Sequence, residues 1–182
     1  MTPVEIVLAP SQGARALWIA AASAAILAAV WIFQAFGYAP CELCLTQRYA
    51  FYAAVPIALL TALASRSAYG LARAGFAVLA LVFAANAVLA AYHVGVEYHW
   101  WQGPTACTGG AGSLDVNDLV KALDSVKVVR CDEVQLRIAG LSLAGWNVLA
   151  SAALAIYAAF AARLWSVPAR TPRTTEARIP AK

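Results

Sequence analysis

Charge is what this chain has least of. Only 12% of its 182 residues are Asp, Glu, Lys or Arg, about half the share usual in soluble domains, while 63% are hydrophobic. That balance excludes a soluble globular fold. Also missing are a glycine-rich nucleotide fingerprint, a haem motif and the cysteine spacing of an iron–sulfur site. Any redox chemistry must therefore run on side chains and on an acceptor from outside the polypeptide. No period suggests internal repeats.

Long uncharged runs are what the chain has instead. Four of them, Ala16–Pro40, Tyr49–Ser65, Ala74–Val96 and Ile138–Ala162, are each about 17 to 25 residues long. A helix needs about 20 residues to cross the hydrocarbon core, and backbone satisfaction in lipid allows only helices or closed barrels. Runs of this length exclude barrel strands. The first is too long for a signal-peptide core and reads as a retained span. The expected fold class is an all-α integral membrane protein, a four-helix transmembrane bundle forming a single membrane domain over 1–182. Its spans are expected near 16–38, 46–66, 73–96 and 138–163, with loops at 39–45 and 97–137 and a disordered basic tail at 166–182.

The basic residues give the orientation. Arg15, Arg66, Arg73, Arg163, Arg170, Arg173, Arg178 and Lys182 would share one side. The long loop on the other side has more acids than bases. The positive-inside rule places both termini in the cytoplasm and both loops outside. The net charge of +4 is then a topology signal, and no nucleic-acid partner is expected. All four cysteines fall on the outer side, where disulfides persist.

Details along the chain agree with that layout. Trp18 and Tyr38 sit where interfacial anchors should, and Tyr92 to Trp101 forms an aromatic belt at the outer end of span three. Pro56 should kink span two without ending it. Span four is expected to open by Gly140 and Gly145. Ser23, Asn86, Ser142 and Asn147 can hydrogen-bond between helices. In the second outer loop, the alternation of Leu114, Val116, Leu119, Val120 and Leu123 with polar residues predicts a short amphipathic helix.

The chemistry centres on Ala39-Pro40-Cys41-Glu42-Leu43-Cys44-Leu45-Thr46-Gln47-Arg48. If Pro40 opens the second helix, Cys41 and Cys44 lie in or beside its first turn. Unpaired N–H groups and the positive end of the helix dipole favour a thiolate there. Arg48, at i+4 from Cys44, adds a permanent positive charge on the same face. Glu42, an acid between the cysteines, is expected to raise the thiol pKa and weaken the pair as an oxidant.

Three readings of the cysteines compete. As structural disulfides, Cys41–Cys44 would contribute only about 2 kcal/mol, against about 3.5 kcal/mol for Cys107–Cys131. Four transmembrane helices need neither. A zinc site is disfavoured because Cys107 and Cys131 are far apart in sequence, and His93 and His99 lack ligand spacing. His93 reads as a helix-terminal polar group or a neighbour of a bound quinone, not as a metal ligand. The third reading is a relay of thiol–disulfide exchange, from Cys107/Cys131 to Cys41/Cys44 and then to a two-electron acceptor dissolved in the bilayer. A quinone, ubiquinone or menaquinone, fits that description.

Cys-x-x-Cys-x-x-x-Arg entering the second of four spans, with two further cysteines in the second outer loop, resembles the disulfide bond formation protein B (DsbB) family. The stretches His93-Val94-Gly95-Val96-Glu97 to Cys107 and Cys131-Asp132-Glu133-Val134 to Gly145-Trp146-Asn147 carry the resemblance further. It implies an inner-membrane, quinone-coupled thiol oxidase that reoxidises a periplasmic DsbA-like thioredoxin-fold protein. It implies that Cys107 takes the partner's thiolate, that Cys131 exchanges with Cys41, and that Cys44 faces the quinone as an anion held by Arg48, with His93 nearby. The alternatives are a related oxidoreductase running in reverse, for which no cytoplasm-facing thiol pair exists, and a non-enzymatic helical membrane protein with structural disulfides.

Overall fold

The structure, a computed structural model, describes residues 11–104 and 129–164. Cys107, the amphipathic helix expected around 114–124 and the basic tail lie outside the described residues. Four helices carry the architecture: α1 (Gln12–Ala35), α2 (Glu42–Ala64), α3 (Tyr69–Glu97) and α4 (Leu143–Leu164). All four are long and apolar enough to cross a membrane. A minimal hairpin, β1 (Arg137–Ile138) paired antiparallel with β2 (Leu141–Ser142), leads into α4.

Each helix buries a narrow stripe in steps of three and four. On α2 it reads Leu43, Gln47, Phe51, Ala54, Ala58, Thr61; on α3 it reads Phe76, Leu79, Phe83, Asn86, Ala90, His93. That spacing keeps one face of a helix toward its neighbours. Phe76, Leu79, Phe83 and Ile19 fill an apolar core, surrounded by alanines that let the helices approach closely. At Gly75 a Cβ would overlap Thr61, so α2 and α3 cross there with no room for a side chain.

The helices do not form a closed ring. α3 packs most extensively on α4, α1 on α2 and α2 on α3, whereas α1 and α4 scarcely touch. An open seam therefore runs between the first and last helices.

The ends of the helices explain where the loops point. α1 stops in a left-handed turn at Gly37 (φ 94°), with the Gly37 N–H donating to Gln34 O and the Tyr38 N–H to Phe33 O. Phe33 and Tyr38 rings meet edge to face across the turn. This is the C-terminal geometry a glycine permits, and it aims Ala39-Pro40-Cys41 back over the bundle. α3 ends the same way with His99 in the left-handed position (φ 58°). Trp101 then folds back to stack on Tyr92 and cover Gly95.

Two helices start elsewhere than the sequence suggested. α2 begins at Glu42 and not near 46, because Cys41, not Pro40, ends the loop as the cap residue. α4 begins at Leu143 and not at 138, because Ala139 (φ 50°) and Gly140 (φ 85°) make a two-residue hairpin turn. Ser142 then caps α4, its Oγ accepting the Gly145 N–H at 3.1 Å, and Trp146 Nε1 donates to Ile138 O at 2.9 Å. Pro56 lies inside α2 without interrupting it.

Candidate functional site: a thiol centre beside an apolar cavity

Cys41 occupies the N-cap of α2 in extended conformation (φ −79°, ψ 170°), and its sulfur accepts the Cys44 backbone N–H at 3.3 Å. A sulfur thus does what a serine oxygen usually does at a helix start. The side-chain sulfurs of Cys41 and Cys44, both free, stand 2.8 Å apart. Cys41 Sγ thus accepts the backbone N–H, faces His93 Nε2 at 3.7 Å and shares a hydrogen bond with Cys44 Sγ. The hydrogen bond with Cys44, working against burial and helped by the His93 imidazole, holds the Cys41 thiol below its ordinary range. In this reduced arrangement the surroundings of Cys41 favour its anion, whereas the resemblance implied an anion at Cys44.

Glu42 does not act as the sequence suggested. It is exposed at the first helical position and is not among the groups that set the acidity of Cys41.

Cys131 returns to the same place from the second loop. It is 1% exposed, disulfide-bonded, and packed with Cys41, Leu43 and Val96. Its sulfur, the Cys41 sulfur and a ring nitrogen of His93 all lie within 4.8 Å of one another. The donor types match a zinc site, but a disulfide sulfur is not a thiolate ligand, so two donors remain in this redox state. On either side of Cys131, Arg130 clasps Asp132 through Nε (3.0 Å) and Nη2 (2.6 Å). That guanidinium lowers the Asp132 pKa and fixes the short turn carrying the cysteine.

Beside the thiols opens a cavity of about 190 Å³. Ile26, Leu27, Val30 and Phe33 of α1 make one wall, and Leu143, Ala144 and Ala150 of α4 make the other. Cys41, Cys44, Gln47 and Arg48 line it from α2, with His93 and Glu97 from α3. The cavity thus lies on the open α1–α4 seam, apolar in depth and polar at the cysteine end.

Arg48 reaches this cavity but is shown with no bond to Cys44. Its Nη1 donates to Gln34 Oε1 at 2.9 Å, and its guanidinium lies 5.8 Å from the centre of the Trp31 ring. Among the described residues no carboxylate pairs with it, so its charge is available to the cavity. His93 is buried and bonded to Gln47, whereas His99 is exposed and apart from the site.

Four residues of the site were not singled out by the sequence reading as functional: Gln34, Gln47, Glu97 and Asn147. Gln47 carried a legible signal, since it falls on the buried stripe of α2 where a polar residue needs a partner. In the sequence Asn147 reads only as a residue that can hydrogen-bond between helices. Gln34 and Glu97 sit at helix ends, where polar residues are commonplace and carry no signal.

No curated protein and no solved structure matched the chain. The family model described as Disulfide bond formation protein DsbB matches residues 12–161, which include all four helices nearly entire and all four cysteines. With free Cys41 and Cys44 capping a membrane helix, and a disulfide-bonded Cys131 against them, the chain belongs to the DsbB family: it is a multi-pass bacterial membrane protein of disulfide bond formation.

Proposed function

We propose that this protein is a quinone-coupled thiol oxidase of the inner membrane, reoxidising a DsbA-like thioredoxin-fold protein on the periplasmic side. The observation that carries the reading is a single juxtaposition. The Cys41 sulfur lies within 4.8 Å of Cys131 and 2.8 Å from Cys44, at the polar mouth of a cavity that is otherwise apolar.

Exchange proceeds when a thiolate attacks a disulfide sulfur and expels the other sulfur as thiolate. The partner's thiolate would attack Cys107 of a Cys107–Cys131 disulfide and expel Cys131. The Cys131 thiolate would then attack Cys41 of an oxidised Cys41–Cys44 pair, expelling Cys44. A second partner thiolate would resolve the mixed disulfide, releasing oxidised partner. Cys107 would then displace Cys41 from Cys131, leaving Cys41 and Cys44 as the reduced pair and the loop disulfide restored. A bound quinone supplies a sink for that pair's two electrons and two protons. The residues present fit such a head group: apolar walls from α1 and α4 for a ring, and Arg48, Cys44 and His93 at one end for its oxygens. Arg48 would stabilise negative charge in the cavity, and Cys44 would face it. The seam between α1 and α4 offers a path from the lipid.

The orientation rests on the positive-inside distribution of Arg and Lys. A membrane-impermeant maleimide added to intact spheroplasts should label reduced Cys44. Labelling from the cytoplasmic face alone would remove the periplasmic partner from the proposal.

The activity itself is tested with purified protein, a short-chain quinone and a reduced thioredoxin-fold protein. Thiol loss should match quinone consumed, one pair of thiols per quinone, and Cys44→Ser should abolish it. Thiol loss that ignores quinone, or a Cys44→Ser variant with full turnover, would leave only structural cysteines.

A further inference from the structure

A line of polar side chains runs through the bundle to the thiol centre, crossing three helices. Asn86 Nδ2 on α3 donates to Ser151 Oγ on α4 at 2.9 Å. Ser151 Oγ donates to Asn147 Oδ1 at 3.2 Å, and Asn147 Nδ2 donates to Gln47 Oε1 on α2 at 2.5 Å. Gln47 Nε2 in turn meets His93 Nδ1 at 2.9 Å, and His93 Nε2 faces the Cys41 sulfur. Asn86, Ser151, Gln47 and His93 are buried.

Such a line has a direction. A primary amide gives through nitrogen and receives through oxygen, and a hydroxyl has one hydrogen to give. The orientation of each member therefore sets the next. Read as it stands, Gln47 donates to Nδ1, so Nδ1 is bare and the hydrogen of the neutral ring sits on Nε2, toward Cys41. Only the complete reversal of the line satisfies every member as well, and it puts the hydrogen on Nδ1. Half-reversed lines leave two donors or two acceptors facing each other in a medium without water, which is costly.

We propose that Gln47, oriented by Asn147, Ser151 and Asn86, is a positioning residue that fixes His93 as the tautomer whose Nε2–H points at the Cys41 sulfur. The line thereby decides which sulfur of the pair carries the negative charge. In the reversed line a bare Nε2 would compete for the thiol hydrogen and offer the anion nothing. The Cys131 backbone carbonyl also accepts a hydrogen bond from the ring and joins Gln47 in setting the tautomer; the remaining side chains that face His93 do not. Cys41 and, behind it, Cys44 approach from α2, Cys131 from the returning loop is in a disulfide, and Glu97 one turn along α3 accepts from Ser142. Among the described residues, Nδ1 is met by Gln47.

The inference rests on the thiol chemistry proposed above, but its test reads the ring and the sulfur directly, without quinone, partner or turnover. In reduced full-length protein carrying His99→Gln and 15N-labelled histidine, ring nitrogen shifts at pH 8 should show Nε2 protonated. A protonated Nδ1 in that spectrum overturns the proposal whatever any variant does. Asn147→Leu, which removes the donor that orients Gln47, should mix or exchange the tautomers. It should also lower the rate of Cys41 alkylation by iodoacetamide at pH 4 by about tenfold, as a one-unit rise would for a thiol that titrates at about 5. The rate at pH 9 should stay within about twofold, since most of the thiol is ionised there. A folded Asn147→Leu protein with the wild-type tautomer and alkylation profile also overturns it.

Discussion

The two ends of the bundle are built on different rules. Away from the cysteines, Phe76, Leu79 and Ile19 pack among alanines, and what holds the helices together is shape. In lipid there is no hydrophobic gain in pressing one apolar face against another, so that end depends on dispersion and close approach. At the cysteine end the core shrinks to Cys41, Leu43, Val96 and Cys131, and the remaining contacts are amide, hydroxyl, imidazole and sulfur. Polar groups are expensive there and persist only when each has a partner. Stability and chemistry have thus been given separate addresses along the same four helices.

That separation can be broken first by paired substitutions. Cys44→Ser should remove quinone-dependent thiol oxidation completely while shifting the thermal midpoint hardly at all. Phe76→Ala should do the opposite, costing about 2 kcal/mol of stability, mainly the cavity part, because unfolded helices in lipid keep their apolar surroundings. Thermal melts and turnover measured on both variants decide; a Phe76→Ala protein with wild-type stability would mean the far end is not the anchor.

The next effect is one of pH. Because the Cys41 thiol titrates below its ordinary value of about 8.5, its thiolate is present in the folded reduced protein at pH values where the unfolded chain carries a thiol. Alkylation of Cys41 at pH 7 should therefore be much faster in folded than in unfolded reduced protein. A depressed acid adds stability above its unfolded pKa and loses it as pH falls through the folded one. Reduced protein should accordingly gain stability as pH rises toward the ordinary thiol value. Equal alkylation rates in the two states would remove the anion from the centre.

Arg48→Lys should be milder. It keeps the charge but loses the planar fork that holds Gln34 and stacks on Trp31. The KM for quinone should rise about tenfold, worth about 1.4 kcal/mol, with Cys41 alkylation unchanged. An unaltered KM would make Arg48 an interfacial anchor. Smallest of all, His99→Gly should stabilise by about 0.5 to 1 kcal/mol, since glycine adopts the left-handed position without the cost of a Cβ.

The helices were legible because spans of apolar residues are long and their punctuation is charged. Spacing and helix position pointed to Cys41, Cys44 and Arg48, the family resemblance pointed to His93, and the structure sets all four around one cavity. What escaped was three-dimensional. That Gln47 meets both His93 and Asn147 depends on three helices converging, with partners separated by tens of residues. The hairpin before α4 escaped too, since an Ala-Gly turn with both residues at positive φ hides among a run of small residues. The acid between the cysteines misled for a simpler reason: neighbours along a helix start need not face the same way, and Glu42 turns to solvent.

One sulfur atom serves two masters, as reagent and as the plug on the first turn of α2. Investigators who want a silent mutant should heed this. A serine at 41 retains an acceptor for the vacant amide and erases only the electron transfer, whereas an alanine also unravels the helix start at a cost of about 1 kcal/mol. Phenotypes of the two replacements will diverge, and only the former isolates the chemistry.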